Sequence, residues 1–207
     1  MFRVKICGIT RAKDLDEAVR AGADAIGLQM SRGPRKITPA LARYLARRVP
    51  PLVTPVGVFV DEPASRVKAL IKFCGFRAVQ LHGGEGISFA EGLGVPALKA
   101  VRMKSAGAHR AFRGFRVAGF LLDSYNKSLS GGTGQGFPLS WARQAVQELP
   151  GPVLLAGGLT PDNVQKVLRL SRAFGVDVSS GVESRPGLKD PRKVSLFIRR
   201  AKKMFRD

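Results

Sequence analysis

The 207-residue chain alternates short apolar runs with helical segments along its whole length, and this alternation restricts the folds that it can adopt. Runs rich in β-branched and aliphatic residues indicate eight strands, and the segments between them have the spacing of amphipathic helices. The strands are predicted near residues 2–7, 24–29, 53–60, 77–81, 96–101, 116–122, 152–156 and 174–178. The helices are predicted near residues 11–22, 39–48, 63–74, 85–93, 105–112, 139–148, 160–171 and 190–205.

Regular alternation of strand and helix favours right-handed crossovers between parallel strands. Eight such units in a chain of this length fit a closed barrel better than an open, doubly wound sheet. We therefore predict an α/β fold, a single (β/α)8 TIM barrel with parallel strands, in which residues 1–207 form one domain. In such a barrel the functional residues lie in the loops after the carboxyl ends of the strands.

The composition and the cysteine pattern indicate the cellular compartment of the protein. No apolar stretch is long enough for a membrane helix, and the chain opens directly on a strand, so we predict neither a membrane span nor a secretion signal. Cys7 and Cys74 lie far apart and lack the spacing of metal ligands, which indicates free thiols and no metal site. We therefore expect a cytoplasmic protein.

The charge balance is strongly basic. Lys and Arg number 35 against 15 Asp and Glu, which gives a net charge of +20 and favours anionic partners. Such a field also binds nucleic acid loosely and in a salt-dependent way. The cations are scattered along predicted helices without interleaved aromatic residues or a nucleic-acid motif, so we interpret them as solvated helix faces and expect no specific nucleic-acid partner.

The first predicted strand ends at Cys7, where Gly8 turns the chain and Thr10 is placed to cap the following helix. The sulfur would then face a helix amino terminus, where the helix dipole favours the thiolate. The alternative is that Cys7 is simply a small buried apolar residue.

Two loops with small residues follow the seventh and eighth strands. The first contains Gly157 and Gly158, and the second contains Ser179, Ser180 and Gly181. Glycines let backbone amides approach an anion closely, and a short helix opening at 179–181 would direct its positive end to the same place. Barrels of this type commonly bind phosphate at these two loops, so we predict a phosphate site, although a Gly-Gly pair alone indicates only a turn.

Asp123 ends the sixth predicted strand and is the second candidate for chemistry. A carboxyl group that is partly removed from water has a raised pKa and suits a proton donor, whereas the alternative is an Asp that rigidifies its loop. Strands one and six lie on opposing parts of an eight-stranded ring, so Cys7 and Asp123 would face each other. An opposed acid and base suit an isomerisation, and the glycines of 131–134 would add a lid or an anion contact.

Charged residues also fall inside the predicted strands, where an unpaired ion would be costly. Strands one and eight are neighbours in a closed barrel, so we predict an ion pair between Lys5 and Asp177 in the barrel interior. Asp177 is also a candidate for binding the substrate. Trp141 and Cys74 are assigned to core packing.

Several segments together resemble the phosphoribosylanthranilate isomerase family of tryptophan biosynthesis, and the resemblance spans nearly the whole chain. The segments are VKICGIT at 4–10, GPRKITP at 33–39, VGVFV at 56–60, VQLHG at 79–83, LLDS at 121–124, GGTG at 131–134, GGLTPDNV at 157–164 and VDVSSGVE at 176–183.

The resemblance implies a cofactor-free Amadori rearrangement of N-(5-phosphoribosyl)anthranilate to 1-(2-carboxyphenylamino)-1-deoxyribulose 5-phosphate. On the matching positions it implies that Cys7 is the general base at C2, that Asp123 protonates the ring oxygen, and that Arg35 holds the anthranilate carboxylate. His82 of the QLHG segment is expected to line the pocket. The alternatives are that Arg35 is one more surface arginine and that His82 has only a structural role.

The chain departs from the family pattern at two places. No aromatic residue occurs in the segment 27–32 before Arg35, and the residues at 135–141 differ from the family's sequence, which predicts a shifted start for the helix that follows. Two other functions stay open, namely another phosphate-binding barrel isomerase or synthase and a basic nucleic-acid-binding protein. We expect a small-molecule substrate and a monomer or homodimer.

Overall fold

Eight parallel strands close into a barrel in the computed structural model, which describes residues 2–124 and 138–203. Each strand pairs with the next in chain order, and the eighth pairs with the first. This arrangement confirms the predicted (β/α)8 barrel. The strands are β1 (Arg3–Cys7), β2 (Ala25–Gln29), β3 (Thr54–Phe59), β4 (Ala78–Leu81), β5 (Ala97–Met103), β6 (Gly119–Ser124), β7 (Val153–Leu155) and β8 (Gly175–Val178).

The helices surround this barrel, and seven of the eight predicted helices are present as α-helices. They are α1 (Ala12–Arg20), α2 (Pro39–Arg48), α3 (Ala64–Cys74), α4 (Ile87–Glu91), α5 (Leu139–Glu148), α6 (Val164–Ser171) and α7 (Pro191–Lys202). Between β5 and β6 the predicted helix at 105–112 is instead a short 3-10 helix, Ala108–Phe112. Gly107 directly precedes it, and glycine is unfavourable inside a helix, which limits the helical stretch.

A small hairpin follows β8 and was not expected from the sequence. A 3-10 helix (Ser180–Val182) leads into β9 (Glu183–Arg185), which pairs antiparallel with β10 (Leu188–Lys189). The hairpin is too short to produce an alternating apolar pattern. It brings Glu183 back beside the end of the barrel, where it takes part in the site described below.

The core lies between the strands and the surrounding helices, with Phe59, Phe120 and Phe197 fully buried. Cys74 is buried at the end of α3, and Trp141 packs against the core from α5, so both packing predictions are confirmed. α5 begins at Leu139, as the periodicity predicts, while the segment 131–137 lies outside the described residues.

The charges inside the strands are paired. Lys5 and Asp177 are direct partners in the β1–β8 register, and Lys5 Nζ lies 2.9 Å from Asp177 Oδ1. This confirms the predicted ion pair. Lys99 Nζ on β5 lies 2.8 Å from Glu85 Oε2 and 2.7 Å from the carbonyl oxygen of Gly83. In both pairs a partner within hydrogen-bonding distance offsets the cost of burying a charge.

Among residues 2–124 and 138–203, no helix is both long enough and apolar enough to cross a membrane.

Candidate active site

A cavity of about 300 Å³ opens at the carboxyl ends of the strands, and all the predicted site residues line it. It is bounded by Cys7, Gln29, Arg35, Val58, Gln80, His82, Asp123, Ala156, Gly157, Gly158, Leu159, Asp177, Val178, Ser179, Ser180 and Gly181. Residues from seven of the eight strands or their following loops therefore converge on one site. Gln29 and Gln80 were not among the predicted residues.

Cys7 lies at the end of β1, where a glycine on β2 makes room for it. Gly27 is its direct register partner, and a Cβ atom added there would lie 2.7 Å from Cys7 Sγ and 3.1 Å from Lys5 Nζ. Only a residue without a side chain leaves space for both groups. The Lys5 ammonium, itself held by Asp177, therefore lies beside the thiol.

The surroundings of the Cys7 thiol differ from the prediction. Burial raises the pKa of its thiol, and the positive charge of Lys5 offsets this only in part. The amides of Gly8 and Ile9 donate to the carbonyl oxygen of Gly27 at 2.9 and 3.1 Å, so they do not donate hydrogen bonds to the Cys7 sulfur. The expected stabilisation of the thiolate by a helix amino terminus is therefore wrong, and burial favours the neutral thiol.

The predicted helix cap is also wrong. The residue before α1 is Arg11, which makes no side-chain capping bond, and Thr10 Oγ1 instead donates to the carbonyl oxygen of Gly187. α1 therefore starts at Ala12, one residue later than a cap at Thr10 would place it.

Asp123 joins a chain of side chains that crosses from β6 to β4. His82 Nε2 lies 3.1 Å from Asp123 Oδ2, and His82 Nδ1 lies 2.8 Å from Gln80 Nε2. Asp123 and His82 are each partly exposed, whereas Gln80 is buried. The acid candidate on β6 is therefore held by groups from a different part of the barrel.

Arg35 is already engaged in an ion pair that the sequence did not predict. Its Nε and Nη2 donate to the two carboxylate oxygens of Glu183 at 2.7 and 2.6 Å. Lys189 Nζ donates to the same carboxylate at 2.9 Å. Burial alone would raise the pKa of Glu183, but the hydrogen bonds from Arg35 and Lys189 lower it, so the group stays ionised.

The loops after β7 and β8 have the geometry of an anion cradle. Gly157 and Gly158 both have positive φ angles, and their amides have no hydrogen-bond acceptor within the described ranges. The predicted short helix after β8 is present as the 3-10 helix Ser180–Val182. A Cβ atom added at Gly181 would collide with the carbonyl oxygen of Leu159, so the two loops touch through their backbones.

The chain from residue 4 to residue 200 matches the family model described as N-(5'phosphoribosyl)anthranilate (PRA) isomerase. The chain belongs to this isomerase family. A relative from Geotalea uraniireducens, named N-(5'-phosphoribosyl)anthranilate isomerase, is 44% identical over 203 residues that cover 98% of this chain and 99% of its own.

Solved structures of the isomerase family are similar to this chain in fold. One is a phosphoribosyl anthranilate isomerase in complex with reduced 1-(o-carboxyphenylamino)-1-deoxyribulose 5-phosphate, with a TM-score of 0.86, 36% identity, and coverage of 98% of this chain and 100% of its own. Another is described as mutually generated monomers of the dimeric isomerase from Thermotoga maritima. It has a TM-score of 0.86, 34% identity, and coverage of 98% of this chain and 100% of its own.

The segment where this isomerase-family chain lacks aromatic residues has polar contacts instead. Gln29 lines the cavity and its Nε2 donates to the carbonyl oxygen of Arg32 at 3.2 Å, while Met30 is buried in the core. Ser31 Oγ accepts the amide of Val60 at 2.9 Å. The wall beside Arg35 is therefore built from Gln29 and the aliphatic Val58.

Proposed function

We propose that this chain converts N-(5-phosphoribosyl)anthranilate to 1-(2-carboxyphenylamino)-1-deoxyribulose 5-phosphate, as an isomerase of tryptophan biosynthesis. The observation that carries the proposal is the convergence of Cys7, Asp123, Arg35 and the two glycine loops on one cavity. Family membership supports the same reaction over another phosphate-binding barrel isomerase.

The two anionic ends of the substrate would be held at opposite sides of the cavity. The amides of Gly157 and Gly158, which have no acceptor among the described residues, suit the phosphate together with the 3-10 helix Ser180–Val182. Glu183 uses two of the five N–H donors of Arg35, which leaves two on Nη1 and one on Nη2 for the anthranilate carboxylate. Held at both ends, the sugar lies between Cys7 and Asp123, which is the positioning that catalysis needs.

The chemistry is a series of proton transfers and needs no cofactor. Asp123 protonates the ring oxygen, the bond between C1 and this oxygen breaks, and the lone pair of the anilino nitrogen forms a C=N bond to C1. The Cys7 thiolate then removes the C2 proton, the electrons of that C–H bond form a C1=C2 double bond, and the π electrons of the C=N bond return to the nitrogen as its lone pair. The resulting enol gives the ketone when the C2 hydroxyl loses its proton and C1 gains one.

Cys7 must lose its proton before it can act, and Lys5 is the group placed to assist. Its ammonium lies beside the sulfur and is neutralised by Asp177 in the resting state. Burial on its own lowers the pKa of Lys5, but Asp177 more than offsets this and raises it, so Lys5 stays charged while the thiolate forms. We also propose a monomer or homodimer in the cytoplasm, supported by the description of the Thermotoga maritima relative as dimeric and by the two free thiols.

The proposal is tested by following the loss of phosphoribosylanthranilate fluorescence with the wild type, Cys7→Ser and Asp123→Asn. We expect kcat to fall by about two decades or more in each variant, the usual scale for a positioned acid or base. Cys74→Ser and Asp16→Asn are matched controls outside the cavity and should keep the wild-type kcat. Near-normal turnover in both site variants would contradict the assigned roles, and an inactive wild type would contradict the function.

A further inference from the structure

A buried glutamine on β4, Gln80, lines the cavity but has no part in the acid–base scheme above. It is 2% exposed. Its Oε1 is buried and has no hydrogen-bond partner in either described part of the chain, 2–124 or 138–203. Buried polar atoms are nearly always hydrogen-bonded, so an unpaired acceptor in a cavity wall points to a ligand that supplies the missing donor.

The other end of the same amide controls the proton on His82. Gln80 Nε2 lies 2.8 Å from His82 Nδ1, and an amide nitrogen can only donate, so Nδ1 accepts. The imidazole therefore carries its proton on Nε2, which lies 3.1 Å from Asp123 Oδ2 and donates to it. A hydrogen bond to an ionised carboxylate is stronger than one to a neutral acid. The hydrogen bond from His82 therefore becomes stronger as Asp123 gives up its proton.

The proposed substrate has few groups that can donate to Gln80 Oε1. Its phosphate and carboxylate are ionised at neutral pH and offer mainly acceptors, while the ribosyl hydroxyls and the anilino N–H are donors. The glycine loops after β7 and β8 suit the phosphate, and Arg35 suits the carboxylate. The sugar between them is the part of the substrate left to meet the wall formed by Gln80.

We propose that Gln80 is a substrate-recognition and positioning residue. Its Oε1 accepts a hydrogen bond from a ribosyl hydroxyl, and its Nε2 fixes His82 in the tautomer that donates to Asp123. The inference rests on the proposed isomerase function. It gives one buried amide a part in both sugar binding and proton transfer.

Gln80→Met tests both parts, because methionine fills similar space without a strong hydrogen-bonding group. We expect kcat/KM to fall at least about tenfold, with KM raised by the lost sugar contact and kcat lowered by the loosened His82. The affinity for the reduced product analogue, measured by calorimetry, should fall by a similar factor. Gln144→Met is the matched control, since Gln144 bonds Glu148 at 3.0 Å outside the cavity, and it should leave kcat and KM unchanged.

A second measurement reads the tautomer directly. The chain has 2 histidines, so the imidazole nitrogens of His82 and His109 can be followed in ¹⁵N-labelled protein. The wild type should show His82 with its proton fixed on Nε2, and Gln80→Met should lose this preference. The signals of His109, whose Nε2 bonds Glu148 at 2.7 Å, should not change.

Wild-type values of kcat and KM in Gln80→Met would overturn the sugar contact, and an unchanged His82 tautomer would overturn the positioning role. An inactive wild type would defeat the proposed function and with it the sugar contact, whereas the histidine spectra decide the positioning role independently.

Discussion

Glu183→Gln tests whether the ion pair with Arg35 organises the carboxylate-binding side of the cavity. The substitution keeps the shape of the side chain, removes its charge, and turns one acceptor toward Arg35 into a donor. The two bonds are 2.7 and 2.6 Å long, and the side chains are 20% exposed for Arg35 and 5% exposed for Glu183. Lys189 also loses its carboxylate partner.

The expected loss of stability follows from this burial. Removing one partner of a fully buried ion pair costs about 3–5 kcal/mol, and the partial exposure of Arg35 reduces this, so we expect about 2–3 kcal/mol. The effect on activity should be separate, because a guanidinium that is no longer held in place binds the substrate carboxylate less well. A hydrogen bond to a charged group contributes about 1.5–3 kcal/mol, so we expect KM to rise by about 10- to 100-fold with a smaller change in kcat.

The assay combines urea unfolding at neutral pH with steady-state kinetics on the fluorescent substrate. Asp16→Asn is the matched control, because Asp16 makes the same forked pair with Arg48, at 2.7 and 2.7 Å, on the protein surface. An exposed pair contributes little, so the control should change neither quantity measurably. Equal behaviour of the two variants, or a loss confined to kcat in Glu183→Gln, would refute the reasoning.

Three further predictions follow from the site and the surface. Because burial raises the pKa of Cys7, the rate of Cys7 alkylation by iodoacetamide, measured in Cys74→Ser, should still rise with pH beyond 9, and a rate that levels off below pH 9 would contradict the raised pKa. Gly181→Ala should weaken inhibition by inorganic phosphate at least about tenfold, because its Cβ meets the backbone of Leu159, whereas Gly114→Ala has open space and should not. The hydrogen bond from His109 lowers the pKa of Glu148 to about 2, so its contribution to stability is present above its ordinary pKa and is lost as the pH falls toward 2. The difference in unfolding free energy between wild type and Glu148→Gln should therefore shrink between pH 5 and pH 3, and a difference that stays constant would refute the assignment.

The barrel could be predicted because each strand and helix carries its own local pattern. The strand predicted at 53–60 is Thr54–Phe59 in the structure, and the helix predicted at 39–48 is Pro39–Arg48. The differences arise where the pattern is weak. The segment 105–112 contains a glycine and forms only a short 3-10 helix, and the β9–β10 hairpin has too few residues for a periodic signal.

Within the site, the sequence indicated the residues but not their mutual contacts. Lys5 and Asp177 could be paired in advance, because adjacent strands of a closed barrel fix their neighbours. Arg35 and Glu183 are 148 residues apart in the chain; Arg35 lies in a loop and Glu183 lies in the hairpin outside the barrel, so the register of the barrel strands does not connect them. The acidic residue in the segment VDVSSGVE, in a strongly basic chain, is the one signal that could have suggested a paired role for Glu183.

The net charge of +20 does not come from the buried charged residues of the site. The buried charged residues of the described chain are three lysines and four carboxylates, namely Lys5, Lys99, Lys189, Asp14, Glu85, Asp177 and Glu183. Each of these lysines has a carboxylate within 3 Å. The cationic excess therefore lies on the more exposed residues, where salt screens it over about 10 Å. Long-range attraction of an anionic substrate should fall as salt is added, whereas the buried pairs beside Cys7 and Arg35 should continue to hold their partners.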